Sequence, residues 1–203
     1  MIKFLIYIKE KLPFLWLLLE YVNGKIFGIL FNNRIRKNAT RILKNFSKEE
    51  FSYRMLSKND LPVLSIMLNT HDPVQIKFFE PHKFDLKTLE RLFSNPSFFM
   101  FGVFDNDKIV GYFFLRCFLN KKSFMGRIVD MPYQGKGIAK NMARILHNFA
   151  WESDFRIFST ISKSNFKSLK SQLAVCNYKT IELLEDDYLL LEYLKSEEKQ
   201  LNH

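Results

Sequence analysis

The sequence has few of the residues that form disulfide-linked, metal-binding or nucleotide-binding scaffolds. Its only cysteines, Cys117 and Cys176, are far apart and form no CxxC motif, so neither a disulfide framework nor a zinc site is indicated. The four histidines show no HExxH or HxH spacing, and no protein metal site is predicted. No P-loop and no Rossmann GxGxxG occurs, which argues against enzymes that use nucleoside triphosphates or NAD.

The composition is that of an ordinary folded protein with an excess of positive charge. Apolar residues make up 47% and charged residues 26% of the 203 residues, which excludes disorder, collagen and coiled coil as descriptions of the whole chain. Lys and Arg number 31 against 21 Asp and Glu, a net charge of +10. This excess indicates an anionic partner, such as nucleic acid, a membrane surface or a phosphorylated cofactor. A genome biased toward Lys, Asn, Ile and Phe codons is the alternative explanation.

Residues 1–50 are predicted to form a basic amphipathic helical segment. They carry ten basic and four acidic side chains. Apolar residues recur in them at spacings of three and four, which is typical of one helix face; they are Phe4, Ile8, Leu12, Leu15, Leu19, Val22, Ile26 and Leu30. The charges of residues 9–11 interrupt the apolar run and argue against a secretory signal. Glu20, Asn23 and Lys25 argue against a membrane span.

Two interpretations of this segment stay open. An apolar stripe followed by a basic stretch suits an anionic membrane surface, bound through residues 1–48; the protein would then be cytoplasmic and peripheral at the inner face of the membrane. Alternatively, the helix packs on its own domain or on a second subunit of a homo-oligomer. Nucleic acid is a weaker candidate, because the basic run 34–48 has no interleaved aromatic residue beyond Phe46.

From Phe51 onward the sequence changes to short alternating segments. The patterns predict a strand, a helix, a broken helix, three strands, a helix, a strand, a helix and two strands. The strands 98–104 and 108–117 are joined by Asp105-Asn106-Asp107, which indicates a hairpin. We therefore predict an α+β domain over residues 51–195, followed by a polar tail at 196–203.

The most informative stretch lies where the predicted fourth strand meets the following helix. Gly135 and Gly137 stand between them, and glycines let the backbone pass close to a ligand. Several N–H groups would point the same way at the start of the helix, which makes a binding site for an anion. A pyrophosphate fits such a site, and Lys136 and Lys140 would add positive charge. A plain tight strand-to-helix turn is the alternative.

The segment Gln134-Gly135-Lys136-Gly137-Ile138-Ala139 resembles the (Gln/Arg)-x-x-Gly-x-(Gly/Ala) motif of the GNAT N-acetyltransferases. The order of elements from Phe51 to Leu194 is also similar to that family. Asn165, which opens the helix after the fifth strand, resembles the family's Asn near the pantetheine arm of coenzyme A (CoA). The resemblance implies a mixed, mostly antiparallel sheet flanked by helices, and transfer of an acetyl group from acetyl-CoA to a primary amine.

The resemblance also implies roles for individual residues around the cofactor. The pyrophosphate would be held by the backbone of Gln134, Gly135, Lys136, Gly137, Ile138 and Ala139. The splayed end of the fourth strand would pair with the pantetheine and polarise the thioester carbonyl through a backbone donor; its residues are Val129, Asp130 and Met131. The sequence departs from the family at Gln172, where many relatives have a Tyr that serves as general acid. Cys176-Asn177-Tyr178 also replaces the family's Gly-Phe.

The polar segment 69–82 would border the acceptor site in this fold. It contains His71 and Asp72, predicted to bind substrate, and His82, predicted to be the general base. Glu80 is expected to fix the tautomer of His82 or to raise its pKa. Asp72 or Glu80 acting through water is a second choice for the base, and ordinary loop polarity is the alternative for the whole group.

The expected acceptor is a small-molecule primary amine, for which an amino sugar of surface polysaccharide is one hypothesis. A protein N-terminus or lysine is the second choice. A non-catalytic CoA-binding, membrane-associated module is the alternative from a different class, because the usual acid is missing at Gln172. No metal is expected to take part.

Overall fold

A computed structural model describes residues 11–46 and 50–195 of the chain. The predicted stripe residues Phe4 and Ile8 and the predicted tail 196–203 lie outside the described residues. The helices are α1 Pro13–Phe46, α2 Leu61–Asn69, α3 Pro73–Ile76, α4 Leu86–Phe93, α5 Ile138–Glu152 and α6 Phe166–Leu173. The strands are β1 Ser52–Met55, β2 Phe98–Asp105, β3 Lys108–Cys117, β4 Lys122–Val129, β5 Arg156–Ser162, β6 Tyr178–Leu183 and β7 Tyr188–Tyr193.

The seven strands form one sheet in the order β1-β2-β3-β4-β5-β7-β6. Every neighbouring pair is antiparallel except β4 and β5, which are parallel and are connected by helix α5. The β2–β3 hairpin turns at Asn106, whose φ of 52° lies in the left-handed region that Asn tolerates. The predicted mixed, mostly antiparallel sheet flanked by helices is confirmed.

Helices cover both faces of the sheet and create two apolar cores. Phe27 of α1 and Phe149 of α5 pack with Phe101 and Phe113 on one face. Leu64 of α2 and other buried residues of α2 and α4 pack on the opposite face. Asp85 caps α4 by accepting a hydrogen bond from the Thr88 N–H at 2.9 Å. The polar segment 70–85 is thereby held between α2 and α4, above the second core.

Helix α1 begins at Pro13 and packs on the sheet through a face that differs from the predicted stripe. Its buried side chains recur with helical spacing: they are Phe27, Ile35, Ala39, Ile42 and Leu43. The stripe residues from Leu12 to Leu30 are exposed by contrast, Leu30 by 61%. The predicted stripe is therefore wrong as a packing face. The physical reason is that Gly24 and Gly28 bring the other side of the helix close to Pro96.

Polar contacts fix the same face of α1 to the domain. The Glu20 carboxylate accepts hydrogen bonds from Arg91 and Arg116, each at 2.7 Å. The Asn23 side-chain amide donates to the Ser97 hydroxyl at 3.1 Å and to the Cys117 carbonyl at 3.2 Å. Glu20 and Asn23, which argue against a membrane span, thus form the polar part of the face through which α1 packs on the domain.

Candidate active site

The parallel strands β4 and β5 separate before either of them ends. Their pairing covers Lys122 to Phe124 on β4 and Arg156 to Phe158 on β5. Beyond these residues β4 continues to Val129 and β5 to Ser162 without pairing to each other. A gap therefore opens between the strands on the side from which β4 leads into α5.

The turn at the mouth of this gap presents N–H groups that have no backbone acceptor. Gly135 and Gly137 adopt φ values of 82° and 81°, in the left-handed region that favours glycine. In the described part of the chain, no backbone carbonyl accepts from the N–H groups of Gly135, Lys136 or Gly137. The first N–H groups of α5 are also free of intrahelical partners, as at any helix start. The turn thus has the geometry and the charge of an anion-binding site.

This turn is open to solvent and ordered by neighbouring side chains. A Cβ added at Gly135 or Gly137 would meet no heavy atom within 4 Å, so a ligand can approach the backbone there. Lys136 lies over the Tyr133 ring, with Nζ 5.2 Å from its centre, and the Tyr133 hydroxyl donates to Asp105 at 3.0 Å. Lys136 is thereby held beside the free N–H groups, where its charge favours a phosphate.

The end of β4 has its own hydrogen-bonding pattern. The Asp130 N–H donates to the Val110 carbonyl at 2.9 Å, and the Met131 N–H donates to the Asp130 carboxylate, also at 2.9 Å. The Gln134 side chain donates to the Val129 carbonyl at 3.3 Å. For Met131 to polarise a thioester carbonyl, as the resemblance implies, its N–H has to exchange the Asp130 carboxylate for the substrate.

Helix α6 borders the gap on the β5 side. Asn165 caps this helix, because its side-chain oxygen accepts from the Ser168 N–H at 3.1 Å, and its amide NH₂ remains a donor. Gln172 is 2% exposed, and no atom of the described residues hydrogen-bonds to its Oε1. An unpaired buried oxygen of this kind is uncommon in folded proteins.

Arg127 lies on β4 beyond the last residue that pairs with β5. Strand alternation places it on the same face as the buried residues Met125 and Val129. Its guanidinium donates to the Ala139 carbonyl in the first turn of α5, and to the Ser171 hydroxyl of α6 at 3.2 Å. Burial lowers the pKa of Arg127 to about 10, so it keeps its charge at neutral pH. Sequence reasoning missed this residue, although a lone basic residue at an inward-facing strand position was a usable signal.

The two histidines of the polar segment 70–85 have different surroundings. Nδ1 of His82 lies 2.9 Å from the Lys83 carbonyl, and Nε2 lies 3.2 Å from the Tyr112 hydroxyl. Since a carbonyl only accepts, Nδ1 carries the proton, and Nε2 accepts from Tyr112. Burial lowers the pKa of His82, which favours the neutral ring. The predicted contact with Glu80 is wrong, because Glu80 is exposed and the ring is enclosed by Phe84, Phe98, Tyr112 and Phe114.

His71 is buried at the end of α2, and only one of its ring nitrogens is partnered. Its Nδ1 lies 3.1 Å from the Met67 carbonyl, and its Nε2 has no hydrogen-bond partner within residues 11–46 and 50–195. The neighbouring Asp72 is partly buried, and its carbonyl accepts from the Ile76 N–H of α3 at 3.0 Å. The structure thus places His71 and Asp72 on the segment that joins α2 to α3.

Comparison with known proteins decides the family. The sequence profile of the Acetyltransferase (GNAT) family matches residues 65–171, which is more than half of the chain. The protein is a GNAT acetyltransferase. Members of this family use acetyl-CoA, and the free N–H groups at 135–137 beside the gap fit its pyrophosphate. Among the described residues, no group of three or more His, Cys, Asp or Glu could hold a metal ion.

Solved structures of other GNAT acetyltransferases have the same fold. A ribosomal-protein-S5-alanine acetyltransferase from Vibrio fischeri superposes with a TM-score of 0.58 at 19% identity, over 71% of this chain and 92% of that one. Spermidine N-acetyltransferase from Vibrio cholerae, with CoA and spermine, gives 0.56 at 19% identity, over 70% and 92%. An aminoglycoside acetyltransferase with coenzyme A and kanamycin gives 0.56 at 13%, over 70% and 92%. No curated protein matches the sequence.

Proposed function

We propose that this GNAT acetyltransferase transfers the acetyl group of acetyl-CoA to the primary amine of a small molecule. The observation that carries the proposal is the gap between β4 and β5, which opens beside a turn of free N–H groups. A phosphate bound at that turn would direct the rest of an extended ligand into the gap. The acyl end would then lie between the sheet and the acceptor segment 70–85.

Acidic side chains beside the end of β5 support a cationic acceptor. The β6–β7 hairpin carries Glu185, Asp186 and Asp187. It lies at the same end of the sheet as the gap, since Tyr188 pairs with Ser162 at the end of β5. The spermidine and aminoglycoside acetyltransferases of the same fold act on amines. Within this class we propose an amino sugar of surface polysaccharide as the acceptor.

Each step of the reaction would depend on particular residues of the site. The turn 134–139 and Asn165 bind the donor, and a backbone N–H among Val129, Asp130 and Met131 polarises the thioester carbonyl. The amine nitrogen attacks that carbonyl, and His82 Nε2 accepts the proton that the amine loses. His82 must first exchange its hydrogen bond with Tyr112 for one with the amine. His71 and Asp72 contribute to the acceptor site.

Thiol release against a panel of amines tests this function. Amino sugars, polyamines and peptides with free N-termini are each supplied with acetyl-CoA, and Gly137→Glu serves as the matched control without a donor site. We expect amine-dependent thiol release with a small-molecule amine and none with Gly137→Glu. Turnover confined to peptides would identify a protein acetyltransferase instead. CoA binding without turnover of any amine would identify a non-catalytic module.

We also propose that the N-terminal half of α1 contacts an anionic membrane surface. Large apolar side chains are exposed around this half-helix, among them Phe14 at 79% and Ile29 at 86%. No helix in the described part of the chain is apolar over a length that could span a bilayer. An interfacial position is therefore the membrane arrangement that these exposed side chains support.

Charge favours lipid over a second copy as the cover for this surface. The chain carries a net charge of +10, so two copies repel each other, whereas an anionic surface attracts each of them. Arg91, which contacts Glu20 of α1, also lines an open surface pocket with Lys58 and Lys87. The pocket adjoins α1 through Arg91, and its Lys58 and Lys87 would face lipid phosphates beside the apolar surface.

Vesicle sedimentation separates the possibilities. Full-length protein is mixed with vesicles of phosphatidylcholine alone or of phosphatidylcholine with phosphatidylserine. We expect binding only to the anionic vesicles, and we expect Ile29→Glu to reduce it. Phe166→Glu is the matched control, because Phe166 is 75% exposed on α6. Equal binding of all variants, or a dimer in solution that Ile29→Glu dissociates, would contradict the membrane proposal.

A further inference from the structure

Arg127 is a cation in the gap region that no carboxylate of the described residues neutralises. Among the ion pairs in residues 11–46 and 50–195, none involves Arg127. Its hydrogen bonds go to a carbonyl and a hydroxyl, those of Ala139 and Ser171. A buried charge is expensive unless it is paired. This guanidinium therefore has the capacity to bind one further anionic group.

The groups around Arg127 are neutral at working pH. Burial raises the pKa of Cys176 to about 11 and also raises that of Tyr193. Burial, followed by the charge of Arg127, lowers the pKa of His147 to about 3, and Cys176 lies 3.3 Å from His147 Nδ1. None of these side chains supplies the missing negative charge. A ligand that enters the gap can supply it.

The position of Arg127 differs from that of the phosphate-binding turn. The free N–H groups at 135–137 are exposed and lie at the mouth of the gap. Arg127 lies further along β4, toward the point where β4 and β5 meet, and it reaches α6 at Ser171, next to Gln172. A donor anchored at the turn and extended into the gap would bring its thioester end toward Arg127, because the strands close beyond this residue.

We propose that Arg127 stabilises the thiolate that leaves acetyl-CoA during acetyl transfer, a role that rests on the proposed function. The amine nitrogen forms a bond to the carbonyl carbon, the carbon–sulfur bond breaks, and its electron pair stays on sulfur. The proton that the amine loses goes to the base or to water. Arg127 keeps its protons and donates a hydrogen bond to the sulfur, which takes a proton from solvent as CoA departs.

This assignment explains how the reaction can proceed without an acid on α6. Gln172 cannot give up a proton at neutral pH, and Tyr193, with its raised pKa, is a poor acid. A thiol is acidic enough, with a pKa near 8.5 for cysteine, to leave as its anion when a cation lies beside it. Charge stabilisation by Arg127 therefore replaces proton donation, and the leaving sulfur becomes more acidic when CoA is bound.

The acidity of the bound CoA thiol is the measurement that tests this role. Thiolate absorbance of the CoA complex is titrated against pH for the wild type, Arg127→Met and the charge-retaining Arg127→Lys. Cys117 and Cys176 do not interfere below about pH 10, because burial raises the pKa of both. We expect the bound thiol in the wild type to titrate about one unit lower than free CoA. Arg127→Lys should keep part of this shift, and Arg127→Met should lose it.

Calorimetry with CoA and with an analogue lacking the sulfur provides the control. We expect Arg127→Met to bind both with unchanged affinity and to lower kcat by on the order of 10-fold or more. An identical thiol pKa in the wild type and Arg127→Met overturns the proposal. So does an equal loss of affinity for both ligands, which would place Arg127 on the phosphates. If the wild type binds no CoA at all, the proposed function is wrong. If the wild type binds CoA and its thiol pKa is the same in Arg127→Met, only the role of Arg127 is wrong.

Discussion

The Tyr112 hydroxyl lies 3.2 Å from Nε2 of His82, on the nitrogen that a general base would use. Nδ1 of His82 faces the Lys83 carbonyl and therefore carries the proton. The lone pair of the ring is on Nε2, where it accepts the hydrogen bond from Tyr112. Tyr112 is a buried member of the second core, and His82 lies against it and beside Phe114. Any proton transfer to His82 therefore starts by displacing the Tyr112 hydrogen bond.

Substitution of His82 measures whether this ring is the base. We expect His82→Ala to lower kcat by on the order of 10²-fold while CoA affinity stays unchanged. The loss should shrink at high pH, where the amine is already deprotonated. Tyr112→Phe is the matched control, since it releases Nε2 and should not lower kcat. A large loss in His71→Gln with none in His82→Ala would assign the base to His71, whose Nε2 has no hydrogen-bond partner in the described part of the chain.

Gly137 tests the anion-binding turn. Its φ of 81° strains any side chain, and a side chain there would project toward the bound phosphate. We expect Gly137→Glu to abolish CoA binding in calorimetry and Gly137→Ala to weaken it. Because no heavy atom lies within 4 Å of the added Cβ, both variants should stay folded in a thermal melt. A folded Gly137→Glu variant that binds CoA like the wild type would show that the turn does not hold the cofactor.

Phe27 tests whether α1 belongs to the folded domain. It is 0% exposed and packs against Phe99 and Phe155, with ring centres 6.1 and 5.8 Å away. We expect Phe27→Ala to lower the free energy of unfolding by about 3–5 kcal/mol. Ile29→Ala, two residues along the same helix and 86% exposed, should change it by less than about 0.5 kcal/mol. Equal effects in denaturant titrations would contradict the packing of α1.

His147 predicts how stability depends on pH. Its folded-state pKa of about 3 lies below the value of about 6.5 for an unfolded histidine. The unfolded chain therefore binds a proton that the folded one does not, and stability is lost as pH falls between these two values. We expect a contribution of about 1.4 kcal/mol per pH unit in this range. In His147→Gln the unfolding free energy should fall less steeply with decreasing pH, by about this amount per unit. A slope equal to that of the wild type would show that His147 is not buried as a neutral ring.

Local sequence patterns were sufficient for the β2–β3 hairpin and for the glycine turn before α5. The hairpin at Asp105-Asn106-Asp107 follows from the turn residues themselves, because Asn tolerates the φ of 52° that it adopts. Gly135 and Gly137 likewise mark a turn that only glycine adopts readily. These features depend on neighbours in sequence. A single chain is therefore enough to predict them, together with the family to which the motif belongs.

The tertiary structure alone decided which face of α1 packs and which polar groups share the gap. The largest apolar residues of α1 suggested one stripe, whereas close approach at Gly24 and ion pairs from Glu20 to Arg91 and Arg116 select the opposite face. The partners of His82 and Arg127 come from Tyr112 and Ser171, 30 and 44 residues away. Such contacts depend on which strands become neighbours, and residue spacing within one segment carries no information about them.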